Sequence, residues 1–423
     1  MIVALHRQIL KQSVMQNSGK RWLIAVMGTL VHLCLGTVYA WSFFQKTVSE
    51  TFGWSNSETA WAFSLAIFML GVTASWGGQN LQKFGPRKLA LIGAFLYAFG
   101  YIISYFALKN ESLWLLYFGY GIVGGIGLGL AYVTPVATVS KWFPDKQGLV
   151  TGMVVMGFGL GALLMSKLLA PIFLEYFEKD LAKTFLAIGI TLLVLLPFFA
   201  SFLNLPTEEK AKEISTEKLS ATKKILSPNF IFIWIIFMFN VVAGMIFISF
   251  QSPLLQDLLK SENVNLDTAT LEKSGATLIA ISALFNGLGR FFWGSVSDKL
   301  GRVSTFRLLL LIEAAVFASL IFIKSPILFS VGVCLILLNY GGGFGVLPSL
   351  IKDFFGTKLM PIIYGAALTA WGVGGILGPQ ITAYMKDHFA ENAGMYAYKV
   401  ALVLIISGII LSFFVKNNAQ QKK

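Results

Sequence analysis

Gly294-Ser-Val-Ser-Asp298-Lys299-Leu-Gly301-Arg302 closes one long apolar run, and Gly78-Gln-Asn-Leu-Gln82-Lys83-Phe-Gly85-Pro-Arg87-Lys88 closes another about half the chain earlier. Each sets a glycine among basic residues directly after a hydrophobic stretch, the pattern of a tight charged turn at a membrane face. A second echo, Tyr132-Val-Thr-Pro135 and Gly345-Val-Leu-Pro348, has nearly the same offset. Two echoes at one spacing predict an internally duplicated chain.

The surrounding sequence has the length and polarity that such a duplication needs. Stretches able to cross a hydrocarbon core of about 30 Å run from Trp22 to Phe44, Ser57 to Leu81, Leu89 to Leu108, Ser112 to Val139, Gly148 to Phe173 and Thr184 to Leu203. In the second half they run from Phe230 to Phe250, Ser274 to Val296, Thr305 to Ile323, Ile327 to Leu350, Met360 to Met385 and Val400 to Val415. The chain of 423 residues is 56% hydrophobic and 13% charged, more apolar than a soluble core can hide. The expected fold is an all-α membrane protein with twelve transmembrane helices in two pseudo-symmetric six-helix bundles. Its boundaries are a cytoplasmic tail at 1–21, a first bundle at 22–204, a cytoplasmic linker at 205–228, a second bundle at 229–416 and a cytoplasmic tail at 417–423.

The net charge of +13 raises a nucleic-acid partner as a possibility, and its placement argues for membrane topology instead. The first 21 residues carry His6, Arg7, Lys11, Lys20 and Arg21 with no acid and no cleavage site, so they read as a tail and not as a signal peptide. With that tail inside, roughly two-thirds of the 33 Lys and Arg fall on the cytoplasmic side, and both termini are expected in the cytoplasm of an inner membrane. The linker mixes Glu208, Glu209, Glu213 and Glu217 with Lys210, Lys212, Lys218, Lys223 and Lys224; it reads as a solvated surface or as a partner-binding helix. Cys34 and Cys334 lie in apolar runs, which rules against a disulfide scaffold or a zinc site. No clustered His, paired carboxylates or activated nucleophile is present, so neither an enzyme, a metal nor a cofactor is expected.

The two glycine-and-basic turns resemble the signature of the major facilitator superfamily, and span count, orientation and repeat spacing extend the resemblance over the whole chain. It implies that Gly85, Arg87, Asp298, Gly301 and Arg302 belong to a cytoplasmic gate, where a carboxylate meets basic residues and the positive end of a helix. Gln82 stands at the acidic position in the first half. Gly124-Gly-Ile-Gly-Leu-Gly-Leu-Ala-Tyr132-Val-Thr-Pro135, Lys141-Trp-Phe-Pro-Asp-Lys-Gln-Gly148, Gly157-Phe158-Gly159 and Asn286-Gly-Leu-Gly-Arg290 resemble, more narrowly, the oxalate:formate antiporters and bacterial monocarboxylate carriers. The repeated glycines read as close helix contacts that need not touch substrate.

Arg290 is a permanent cation inside an apolar span with no acid within a helical turn. Its fork of donors fits a carboxylate, which makes a transported anion its natural partner. Asn286, four residues earlier, shares its helical face. The resemblance implies that Tyr39, Tyr132, Tyr340 and Phe158 line the same cavity, with His32 two turns before Tyr39. It also implies a lysine at the Trp371 position in oxalate carriers, so Trp371 here favours a monocarboxylate such as lactate, pyruvate or formate. His32 and Glu313 are the two candidates for proton coupling, each with a competing reading as a structural tie between helices. The expected activity is alternating-access transport by a monomer, as proton symport or anion exchange; efflux or uptake of a larger amphipathic compound such as a drug or siderophore is the alternative.

Overall fold

The computed structural model of the chain describes residues 2–143, 147–206, 221–356, 359–389 and 392–415, without the side chains of 2–18, 82, 147–149 and 361. The linker segment 207–220, the terminal segment 417–423 and the Gln82 side chain lie outside the described residues. All regular structure among the described residues is helical. Among them, twelve helices are long and apolar enough to span a bilayer: α1 (Gly19–Phe52), α2 (Asn56–Leu81), α3 (Pro86–Lys109), α4 (Leu113–Trp142), α5 (Val150–Tyr176), α6 (Leu181–Ala200), α7 (Pro228–Glu262), α8 (Thr268–Leu300), α9 (Arg302–Leu320), α10 (Pro326–Phe355), α11 (Ile362–Phe389) and α12 (Ala393–Ser412). Helical structure begins at Ile2, ahead of the first span, and α1 ends two turns beyond the expected Phe44.

Helix starts follow from short polar residues that accept the unpaired first N–H groups, each such cap contributing about 1 kcal/mol. Ser55 and Glu58 form a reciprocal capping box, while Asp180 accepts from Lys183 N and Asp267 from Thr270 N. Those backbone N–H bonds, first among the causes, hold both carboxyls below the usual range.

Packing repeats with a period of six helices. The pairs α2·α4, α3·α6 and α1·α5 in the first half match α8·α10, α9·α12 and α7·α11 in the second, and α2·α11 mirrors α8·α5 across the boundary. That is the contact pattern of a pseudo-two-fold axis. Helices α6 and α12 sit outermost, exposing Ile190, Val194 and Phe198, and Val403, Ile406 and Ile410, at one-turn intervals.

Where the halves meet, backbones approach through glycine. A Cβ on Gly159 of α5 would lie 2.9 Å from Gly287 of α8, and one on Gly71 of α2 would lie 2.8 Å from Gly372 of α11. On the face opposite the Gly85 and Gly301 turns, polar bonds tie the halves together. Asp387 at the end of α11 accepts from Asn56 N and Nδ2 at 2.9 and 3.0 Å, and from Ser57 N and Oγ at 2.9 and 2.6 Å. Lys46 of α1 donates to Gln256 of α7 at 3.1 Å, and Lys167 of α5 to Thr277 of α8 at 2.7 Å.

Candidate functional site

Asn286 and Arg290 lie one turn apart on the buried face of α8, each 1% exposed. Arg290 Nε donates to Asn286 Oδ1 at 3.4 Å, while Nη1 and Nη2 find no acceptor. The guanidinium lies over Phe344 at 4.9 Å and Phe158 at 5.8 Å. Ring faces attract a cation by about 0.5–2 kcal/mol each, too little to replace the hydration of a buried charge. The position of Arg290 is fixed from behind: Cβ atoms on Gly341 and Gly345 of α10 would fall 2.1 Å from the Asn286 and Arg290 carbonyl oxygens.

Around the guanidinium, rings from both halves close a box. In α1 a tight 3-10 turn at Gly36–Ala40 interrupts the helix and delivers Tyr39, whose hydroxyl meets that of Tyr340 on α10 at 2.5 Å. A Cβ on Gly244 of α7 would lie 2.1 Å from the Tyr340 ring, so Tyr340 fits only because α7 is bare there. Phe158 packs edge-on against Tyr39 and Tyr132 at 4.9 and 5.1 Å. Trp371 sits between Tyr132 and Phe344 at 5.0 and 4.8 Å. The structure therefore brings together Arg290, Asn286, Tyr39, Tyr132, Tyr340, Phe158 and Trp371.

Two members of the box, Tyr364 and Phe344, escaped the sequence reading. Both carried a signal: Tyr364 precedes Trp371 by two helical turns and Phe344 follows Tyr340 by one. Tyr364 lies beside the Tyr132 hydroxyl, and Tyr132 beside Arg290, but none of these hydroxyls, nor the Trp371 Nε1–H nor Arg290 Nη1 and Nη2, completes a hydrogen bond of good geometry. Among the described residues, no Asp or Glu forms a salt bridge with Arg290.

His32 stacks on Tyr132 at 4.7 Å, and its Nε2 pairs with the Tyr132 carbonyl at 2.8 Å, which makes Nε2 the protonated nitrogen. It ties α1 to α4 behind the box. Glu313 of α9 is fully buried in a separate polar cluster. Its Oε1 accepts from Asn240 Nδ2 of α7 at 2.7 Å, and Asn240 Nδ2 also reaches the Asn339 carbonyl at 3.4 Å. Glu313 Oε2, Asn240 Oδ1 and Asn339 Oδ1 have no donors. Asn339 adjoins Tyr340, so this cluster meets the helix that supplies the box on a neighbouring face, about 100° round from Tyr340.

At the turns, Gly85 and Gly301 adopt φ 77°, ψ 153° and φ 84°, ψ 148°, a region open almost only to glycine. Arg302 bonds Asp298 at 2.5 Å and Asp353 at 3.3 Å and also donates to Ser297 Oγ. Both acids belong to the second half, so this knot braces the ends of α8, α9 and α10. Arg87 is exposed and makes no ion pair among the described residues.

Two repeated six-helix sets meeting at a buried cation and an aromatic box define a membrane carrier. The chain belongs to the Major Facilitator Superfamily, whose sequence profile matches residues 24–379. It is 26% identical to the oxalate:formate antiporter of Oxalobacter formigenes over 94% of this chain and 92% of that protein. It is 23% identical to apicoplast pyruvate carrier 1 of Toxoplasma gondii, over 93% and 89% of the two chains. Human monocarboxylate transporter 10 is 24% identical over 94% of this chain and 78% of its own length. A crystal structure of a bacterial homologue of the human lysosomal transporter Spinster, inward-facing and unoccupied, superposes with a TM-score of 0.71 at 14% identity, covering 94% and 97% of the chains; that likeness concerns the fold.

Proposed function

We propose that this protein is a secondary active transporter of a small carboxylate, with monocarboxylates such as lactate, pyruvate or formate favoured over oxalate. The observation that carries the reading is the buried, acid-free set of donors: Arg290 Nη1 and Nη2, Tyr132 Oη, Tyr364 Oη and Trp371 Nε1, all lacking acceptors. Leaving such groups unpaired costs about 1–3 kcal/mol each, and a carboxylate supplies the missing acceptors while neutralising the guanidinium. One fixed cation balances one carboxylate, and the aromatic Trp371 offers nothing to a second. Relatives named for oxalate and formate, pyruvate and monocarboxylates point the same way. The halves 22–204 and 229–416 rock about the box in an inner membrane, both termini cytoplasmic, and anion binding lowers the cost of closing apolar helices over Arg290. The test is thermal stabilisation of the purified protein across mono- and dicarboxylates. Stabilisation by a monocarboxylate at concentrations where oxalate has little effect is expected; no response to any carboxylate would favour an amphipathic substrate.

Glu313 is the better of the two proton-coupling candidates: each keeps one atom in an interhelical bond and one unpaired, but Glu313 has no basic partner among the described residues, whereas a proton on His32 would add a second positive charge beside Arg290. Asn240, which bonds both Glu313 and the Asn339 carbonyl, would relay protonation to α10 and so to Tyr340. In liposomes, Glu313→Gln should retain anion counterflow within about twofold while losing accumulation driven by a pH gradient, since the amide copies the neutral carboxyl but carries no proton. Accumulation equal to that of the native chain would reduce Glu313 to a structural tie.

A further inference from the structure

On the face of the Gly85 turn, the ends of α2 and α3 and the segment after α6 enclose a cleft of about 500 Å³. Arg87 and Lys88 stand at its rim, both exposed. Its wall is Ile92, Phe95 and Leu203, with Ile92 41% and Phe95 44% exposed. Among the described residues no carboxylate lines it. The equivalent turn of the second half is chemically different, because there Arg302 is already held by Asp298 and Asp353. In the first half neither Arg87 nor Lys88 has an acid partner among the described residues, and Lys88 lies over the Phe84 ring at 5.8 Å.

We propose that this cleft is a binding site for an anionic phospholipid, its phosphate at Arg87 and Lys88 and one acyl chain along Ile92 and Phe95. The cleft lies where α3 enters the membrane, so positive charge and exposed hydrocarbon are stacked in the order that a headgroup and its chain require. A soluble anion would use the charges but leave the apolar wall uncovered, and a zwitterionic lipid would cover the wall but gain little from the charges. A bound lipid would clamp the start of α3 to the end of α6.

Native mass spectrometry of the detergent-solubilised protein with phosphatidylglycerol, phosphatidylcholine or glycerol 3-phosphate tests this. The native chain should retain phosphatidylglycerol in preference to phosphatidylcholine, and Arg87→Ala/Lys88→Ala should lower that preference by about tenfold or more. Lys299→Ala/Lys352→Ala, which removes two charges from the same face, should keep it. Ile92→Glu, on the acyl wall, should also lose retention and decides the matter if the double variant does not purify. An unchanged preference in Arg87→Ala/Lys88→Ala, an equal loss in Lys299→Ala/Lys352→Ala, or displacement of the lipid by equimolar glycerol 3-phosphate would overturn the proposal.

Discussion

Arg290→Ala is expected to remove carboxylate-induced stabilisation and carboxylate transport together, weakening binding by about 100-fold or more. Truncating one partner of a buried, hydrogen-bonded charge pair costs about 2–5 kcal/mol, and each 1.4 kcal/mol is a factor of ten. The guanidinium is 1% exposed with two unpaired nitrogens, so the substrate has no solvent to fall back on once the charge is gone. Arg290→Lys should recover only part of the loss, because an ammonium keeps the charge but not the fork. Without substrate the alanine variant should melt no lower than about 3 °C below native, since it also removes an uncompensated buried charge. Binding retained within about threefold in Arg290→Ala would sink the anion-site reading and favour an amphipathic substrate held by the rings.

Gly345→Ala should be among the most damaging single-methyl substitutions. Its Cβ would lie 2.1 Å from the Arg290 carbonyl oxygen, and that oxygen belongs to a helix backbone that cannot rotate away. The seam between α8 and α10 must open, at a cost of about 1–3 kcal/mol or more, visible as a lower melting temperature. Because Asn286 and Arg290 ride on that seam, carboxylate stabilisation should fall as well. Gly152→Ala in α5 is the comparison, with nothing within 4 Å of its added carbon; there the helix propensity gain of about 1 kcal/mol should leave the protein as stable as native or more so. Equal melting temperatures for the two variants would refute the seam argument.

Glycine contacts illustrate how far the sequence could be read. Repeated small residues in α4, α5 and α11 announce close helix packing, but not which helices they face. Gly159 meets Gly287 and Gly71 meets Gly372, pairs distant in sequence that only the assembled bundles bring together. The two proton-coupling candidates were similarly undecided, because a lone intramembrane His or Glu looks alike whether it titrates or ties helices. Their neighbours differ in charge and not in bonding: each has one atom bonded between helices and one unpaired, but His32 lies near the Arg290 cation while Glu313 forms no ion pair among the described residues.

Twelve spans, the duplication and a cation at Arg290 with no acid within a helical turn are legible in the order of residues, because hydrophobic length, repeat spacing and the desolvation cost of that charge are properties of local stretches. The tertiary structure alone decided what surrounds that cation. Tyr39 and Tyr340 meet only because a 3-10 turn in α1 and the bare Gly244 of α7 allow it, and Tyr364 and Phe344 join the box through packing. It also decided that Arg302 braces its own half while Arg87 and Lys88 stay exposed, without an acid partner among the described residues. Those outcomes depend on distances between residues far apart in the chain, which the order of residues constrains only through the packed fold.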